Sequence, residues 1–518
     1  MREQVMGARK RKRLLFEGSE WDFATLDRTY EAIERIARDE LGLDTYPNQI
    51  EVITSEQMLD AYASIGLPLL YRHWSFGKHF AREEKLYRKG YMGLAYEIVI
   101  NSNPCISYML EENSMALQAT VMAHAAFGHN HFFKHNYLFR QWTDAKGILD
   151  YLQFAKSYVT RCEERHGTDA VERVLDAAHA LMDLGVDRYH RRSRPDLERE
   201  RLRVIERRER QLQEYNDLWR TLPKGAGKGG AAAPADPDEK ASLPSLPEEN
   251  LLYFLEKFSP RLRGWQREIL RIVRIIAQYF YPQRLTKMMN EGCATFVHYT
   301  IMNRLYDKGM IGEGAMLEFI DSHSRVVMQP DFDDPRFGGI NPYWLGFEMM
   351  RDIQRICTDP NDEDRTLFPE IAGNGDAFGT LRKVWAEYRD DSFVLQFLSP
   401  TLIRKLRLFK LDDNPSEPEL LVAAIHDERG YIRVRRALAN QYDPGVRDPN
   451  IQIIDADLAR DRRLMLSHNV RNGIALEKRD TQAVVQHISE LWGHRVELRE
   501  TDPASGAAIN SYEASPAA

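Results

Sequence analysis

Cysteine is scarce in this chain, and the four present, Cys105, Cys162, Cys293 and Cys357, stand far apart among 518 residues. No C-x-x-C pair occurs, which excludes a zinc ribbon and a thioredoxin-type redox site; so few cysteines suit a reducing compartment. Long apolar runs are missing too. A membrane helix needs roughly 20 uncharged residues, and the best stretch, 269–280, is broken by Arg271 and Arg274. No integral membrane segment is therefore expected. The basic run 9–13 lacks the apolar stretch of a cleaved signal peptide, so a cytoplasmic location is expected. Positive charge is not in excess either. A formal net charge of -7 gives no reason to expect a nucleic-acid partner. Gly225-Ala226-Gly227-Lys228-Gly229-Gly230 does not follow the G-x-x-x-x-G-K-[ST] order, which excludes a phosphate loop of that type. No Ser/His/Asp or Cys/His nucleophile arrangement is evident.

What is present reads mainly as α-helix. Trp21, Phe23, Leu26, Tyr30, Ile33 and Ile36 recur at helical spacing, and further helices are expected over 55–66, 78–90, 111–135, 142–165, 169–187, 248–258, 260–280, 285–308 and up to about 357. At 518 residues, with 43% hydrophobic and 29% charged, the chain is globular and too long for one core. The expected organisation is a basic tail over 1–17, then a large helical region over 18–222 containing a histidine cluster. A Gly/Ala/Pro linker or loop spans 223–247, and a second helical region, 248–410, packs on the first. From 416 the texture changes: 420–425, 432–434 and 451–454 read as strands, with 427–430 as a hairpin turn. These form a smaller C-terminal α+β module over 416–503, and the Ala/Ser-rich residues 504–518 are expected as a disordered tail.

Six of the 15 histidines lie between His73 and His135, where even spacing would put about two. On an α-helix, positions 124, 128, 131 and 135 share one face, so His124, His131 and His135 line up, with Gly128 leaving room for a backbone or a ligand. His131 and His135 have the i, i+4 spacing by which two imidazoles chelate one divalent ion. Glu291 and His298, seven apart, share a second helical face and would supply a carboxylate and a further imidazole. The candidate ligands are thus His124, His131, His135, Glu291 and His298, for a divalent metal such as zinc with a position open to water. Set against this is a core of histidines hydrogen-bonded to carboxylates and backbone. H-E-x-x-H is absent because Phe132 stands where its glutamate belongs, so a zincin reading would be degenerate. A weaker stripe, Glu172, Asp176, His179 and Asp183, is either a second metal half-site or a solvated face. The acidic run 359–364 lacks the sixth-position glycine of a calcium loop and reads as a solvated loop.

Six segments in order, 18–22, 72–79, 111–114 running into the histidines, 290–298, 339–347 and 392–400, are similar to the SpoVR (stage V sporulation protein R) family. The likeness extends over roughly 18–500, with Cys293 and Val297 where the family has aromatics. The resemblance implies a role in spore cortex formation, or in stationary-phase and stress programmes. It also implies an association with a PrkA-type serine protein kinase and its companion protein. It implies no established reaction. Two readings stand: a metal-dependent hydrolase, and a non-catalytic interaction protein.

Overall fold

The computed structural model describes residues 14–63, 70–74, 97–188, 202, 246–412, 421–425, 427, 430–458, 460–471 and 474–516. The basic run, the helix expected over 78–90, nearly all of the charged stretch 188–222 and the linker up to 245 lie outside them. As expected, the chain is mainly helical with a small C-terminal sheet. It groups into two compact units, and not by the linear division expected: the first joins 1–68, 74–141 and 282–447, the second 69–73, 142–281 and 448–518.

The first unit is a helical core with a small sheet that the sequence reading did not anticipate. Strands β1 (Asn48–Ile53), β2 (Glu97–Ile100) and β3 (Cys105–Leu110) lie in the order β1-β3-β2, β1 parallel and β2 antiparallel to β3. After β3, Ser114 accepts the backbone N–H of Leu117 at 3.2 Å and starts the histidine helix. That helix runs as α over Met115–Val121, widens to π over Met122–His129 and returns to α over Asn130–His135. The widening is visible in the backbone: the N–H of Asn130 bonds the carbonyl of Ala125, five residues back.

Opposite it lies the glutamate helix, Lys287–Asp307, whose buried face is nearly the whole of its first three turns. Its start has no capping side chain of its own. The buried carboxylate of Asp390 accepts the N–H groups of Met288 and Met289, each at 2.9 Å, and burial pushes Asp390 up to about 7. Helix Pro342–Thr358, capped by Asn341 with Pro342 in its first turn, packs on the far side.

Small residues let these three helices touch through their backbones. A Cβ on Gly128 would sit 2.5 Å from the Cα of Ala294, one on Gly292 2.7 Å from Gly346, and one on Gly346 2.4 Å from the carbonyl of Met288. The gap expected beside Gly128 is therefore occupied by the backbone of the glutamate helix.

Three expectations fail here. Residues 430–434 do not form a strand: Gly430–Asn440 is a helix burying Val434 and Leu438, an i, i+4 pair, while Ile432 points out. A three-residue apolar alternation fits either period, and the i, i+4 burial decides it. Strand β5 (Leu421–Ala424) pairs instead with β4 (Lys410–Asp412). Second, the acidic run 359–364 begins a helix, Asp362–Leu367, with Asn361 and Asp364 forming a reciprocal capping box and Asp364 paired with Arg355 at 2.5 Å.

Third, the tail is structured. In the second unit, β6 (Ile451–Ala456), β7 (Leu464–Asn469), β8 (Val496–Thr501) and β9 (Ala508–Ala514) form one sheet in that order. β9, placed within the expected disordered tail, pairs antiparallel with β8 and buries Tyr512 and Ala514. Its alternation is weak in sequence, and the unpaired edge of β8 supplies the reason it is ordered. β7 and β8 are parallel, so a crossover is required, and helix Lys478–Trp492 provides it.

The same unit buries charge. Glu256 accepts Arg271 (Nε, 2.9 Å) and Arg274 (Nη2, 3.0 Å), and Arg271 also bonds Glu268 at 3.2 Å. Burial works to raise the Glu256 carboxyl, but Arg274, Arg271 and Lys257 outweigh it and hold it down at about 2.

Among the described residues, no helix is long and apolar enough to cross a membrane.

Candidate metal centre

The π stretch decides which histidines meet. In an α-helix, residues five apart are turned roughly 140° from each other. With i→i+5 bonding they return to nearly one face. His124 and His129 span this stretch, and their rings lie 4.6 Å apart, edge to face. Both are buried, each 6% exposed.

Two carboxylates reach them from different elements. Glu97 opens β2, on the strand face opposite the buried Ile98 and Ile100, and its Oε1 lies 3.4 Å from His124 Nε2. Glu291, on the glutamate helix, places Oε2 3.5 Å from His129 Nε2 and 3.9 Å from His124 Nε2. Glu97, His124 and His129 each bring one ligand-capable atom within 4.8 Å of the others. Two donors bound tetrahedrally at 2.0–2.1 Å from one ion stand about 3.3 Å apart. The Glu97–His124 separation of 3.4 Å thus needs little closing, and the trio as a whole lies within 4.8 Å.

The glutamate helix also orients both rings from behind. Asn290 Oδ1 accepts from His129 Nδ1 at 2.9 Å, which leaves Nε2 with its lone pair toward the carboxylates. His124 Nδ1 meets His298 Nδ1 at 2.9 Å, and His298 Nε2 meets His323 Nδ1 at 2.9 Å. Burial, with His129 and His298 nearby, holds His124 well below the ordinary histidine range, so its imidazole is neutral. Glu97 moves the opposite way: burial, reinforced by Glu291, pushes its carboxyl up to about 8. Its side chain is 19% exposed and that of Glu291 18%, so the carboxylate side retains some solvent access.

The five residues expected as ligands divide. His124 and Glu291 come together, and His298 stands behind His124 rather than beside Glu291. His131 and His135 turn elsewhere: their rings neighbour each other at 4.6 Å, but their polar partner is Asp44, through its backbone carbonyl to His131 Nδ1 (2.9 Å) and its carboxylate to His135 Nε2 (3.1 Å). The α-phase assumed from sequence put 124, 131 and 135 on one face, and the π stretch rotates the last turn away. Burial, with His135 beside it, lowers His131 to about 4.

Glu97 and His129 were missed. The signals available were a lone acidic residue opening an apolar strand and an i, i+5 histidine pair that α-helical spacing discounts. Of the weaker stripe, Asp176 lies 3.1 Å from His73 and His179 Nε2 lies 2.6 Å from the Tyr71 hydroxyl, while Asp183 falls in the 3-10 turn Met182–Leu184 beyond the helix. The four cysteines are all buried and unbridged.

Comparison with known proteins gives one consistent result. A family model described as SpoVR like protein matches residues 20–447, and one described as SpoVR-like C-terminal domain matches 449–503. The junction falls where the first compact unit gives way to the last segment of the second. The uncharacterized protein YcgB of Escherichia coli (strain K12) is 52% identical over 486 residues, 94% of either chain. No solved structure matches the chain.

Proposed function

The chain belongs to the SpoVR family, and from that premise we propose that it is a metal-dependent hydrolase. A divalent cation such as zinc would be held by Glu97, His124 and His129, with Glu291 beside it. The observation that carries this reading is the convergence of the three ligand-capable atoms, from a strand and a π-widened helix, within 4.8 Å. A mixed imidazole and carboxylate donor set suits zinc, iron or manganese. The cation would supply Lewis acidity to a water. Glu291, with its Oε2 3.5 Å from His129 Nε2, would serve as the proton acceptor for that water. His129 and His124 would each offer Nε2 to the cation, and Glu97 would bind it as the carboxylate.

The test is elemental analysis after purification in medium supplemented with zinc, manganese and iron. About one ion per chain is expected in the wild type, with loss in His124→Ala and Glu97→Gln and retention in Glu291→Gln. A wild-type protein without stoichiometric metal would overturn the reading. Hydrolysis by the loaded wild type and not by metal-replete Glu291→Gln supports the catalytic role.

Family membership supports the biological setting: spore cortex formation, or stationary-phase and stress responses, alongside a PrkA-type serine kinase. Co-purification of the tagged chain with that kinase, in a host encoding both, tests the partnership.

A further inference from the structure

The two imidazoles of the centre are oriented by unlike partners. His129 Nδ1 meets an amide oxygen, Asn290 Oδ1, which only accepts. His124 Nδ1 meets a second imidazole, which donates or accepts according to where its own proton sits. That proton is in turn decided by His323, on helix Glu313–Val326, whose Nδ1 lies 2.9 Å from His298 Nε2. Three rings on three helices are therefore linked through two single hydrogen bonds.

Two ring-to-ring bonds of 2.9 Å are satisfied in full by three uncharged imidazoles. Burial lowers His124 and His298 well below the ordinary range, and burial together with Arg351 lowers His323 to about 4. A neutral imidazole has one N–H and one lone pair, so the order at one ring dictates the order at the next. Only two arrangements satisfy both bonds. In one, His124 Nδ1–H donates to His298 Nδ1, and His298 Nε2–H donates to His323 Nδ1. In the other every donor is reversed, and His124 turns an N–H toward the carboxylates. Aromatic rings close around the relay: Phe319 is 5.8 Å from His298 and Phe347 4.9 Å from His323, both buried. Such packing limits the water available to break the order.

We propose that the relay is set in the first arrangement, so that His298 and His323 are positioning residues that hold the Nε2 lone pair of His124 toward the metal centre. This rests on the metal reading given above. His323 touches neither a ligand nor the cation, yet removing its acceptor strands the His298 Nε2–H in a buried space. His298 escapes a stranded N–H only by carrying its proton on Nδ1, which sets that N–H against the Nδ1–H of His124 and drives His124 to turn its own N–H toward the carboxylates. Loss of an orienting partner of this kind weakens metal binding roughly 10- to 100-fold.

The experiment pairs zinc titration with 15N imidazole chemical shifts of the full chain. In the wild type, with and without zinc, the shifts are expected to report Nδ1–H on His124 and Nε2–H on both His298 and His323. His323→Leu is expected to weaken zinc binding about tenfold, and His323→Asn, whose Oδ1 replaces the Nδ1 acceptor, to restore it. The inference is overturned if His298 carries its proton on Nδ1, or if the Leu variant binds zinc as tightly as wild type. Should the wild type bind no zinc at all, the metal reading fails. The shifts of the metal-free wild type and of His323→Leu then still decide the relay: the order given, lost at His124 in the variant, supports it, and an unchanged His124 tautomer overturns it.

Discussion

Two glutamates, the buried Glu256 and the partly buried Glu97, one in each compact unit, are driven in opposite directions. Glu256 is held down at about 2 because Arg274, Arg271 and Lys257 outweigh its burial. Glu97 is pushed up to about 8 because burial is reinforced by a second carboxylate, Glu291. The first environment already contains its counter-charge and is complete as built. The second gathers two carboxylates and two imidazoles, a set that a divalent cation would satisfy.

The largest expected effect breaks the comparison at Glu256. Glu256→Ala leaves Arg271 and Arg274 without their shared carboxylate, and chemical denaturation should show a loss of about 3–5 kcal/mol. Glu97→Gln in metal-free protein should cost little or stabilise, because it removes a carboxyl that the fold disfavours when ionised. Zinc at 100 times its dissociation constant should stabilise the wild type by about 2.7 kcal/mol and leave Glu97→Gln unchanged, read as a shift in midpoint.

The pH response sharpens the contrast. Folded Glu97 keeps its proton up to about 8, against an ordinary value of 4.5. The native state thus binds more protons in that window, and Glu97's contribution falls as pH rises. Metal-free wild type should lose up to about 2 kcal/mol between pH 6.5 and pH 8; Glu97→Gln, which retains every other titrating group, should lose less. Glu256, depressed to about 2, contributes stability that is full above about 4.5 and lost as pH falls toward 2.

Gly128→Ala is of similar size. Its methyl would meet Ala294 Cα at 2.5 Å and push the histidine and glutamate helices apart, at about 1–3 kcal/mol, with weaker zinc binding. The smallest effect is expected at His135→Ala, whose imidazole serves Asp44 and not the centre; zinc affinity should be unaltered.

Much of the fold was legible. Helices with clear apolar stripes and capping residues, such as Phe23–Arg35 behind Asp22 and Pro342–Thr358 behind Asn341, lie where periodicity put them. The small sheet around Glu97 and the strand over Ala508–Ala514 were not, because each is held by pairing with distant strands rather than by its own pattern. At the candidate site, the histidine-rich helix and the segment 290–298 were identified as its two sides. The convergent group holds His129 and Glu97 rather than His131 and His135 because one departure from α spacing rephases everything after it, at a stretch where Gly128 packs against Ala294.

The π stretch also bears on when the centre is assembled. Wide turns bond less favourably than α-turns and seldom persist alone, and short helices in water are marginal in any case. A peptide carrying only 115–135, once detached, would relax toward ordinary spacing, and the imidazoles of His124 and His129 would swing apart. On the proposed metal reading, affinity for a cation would emerge late, after the partner helix docks, and a nascent or partly unfolded chain would not capture metal prematurely at this pair.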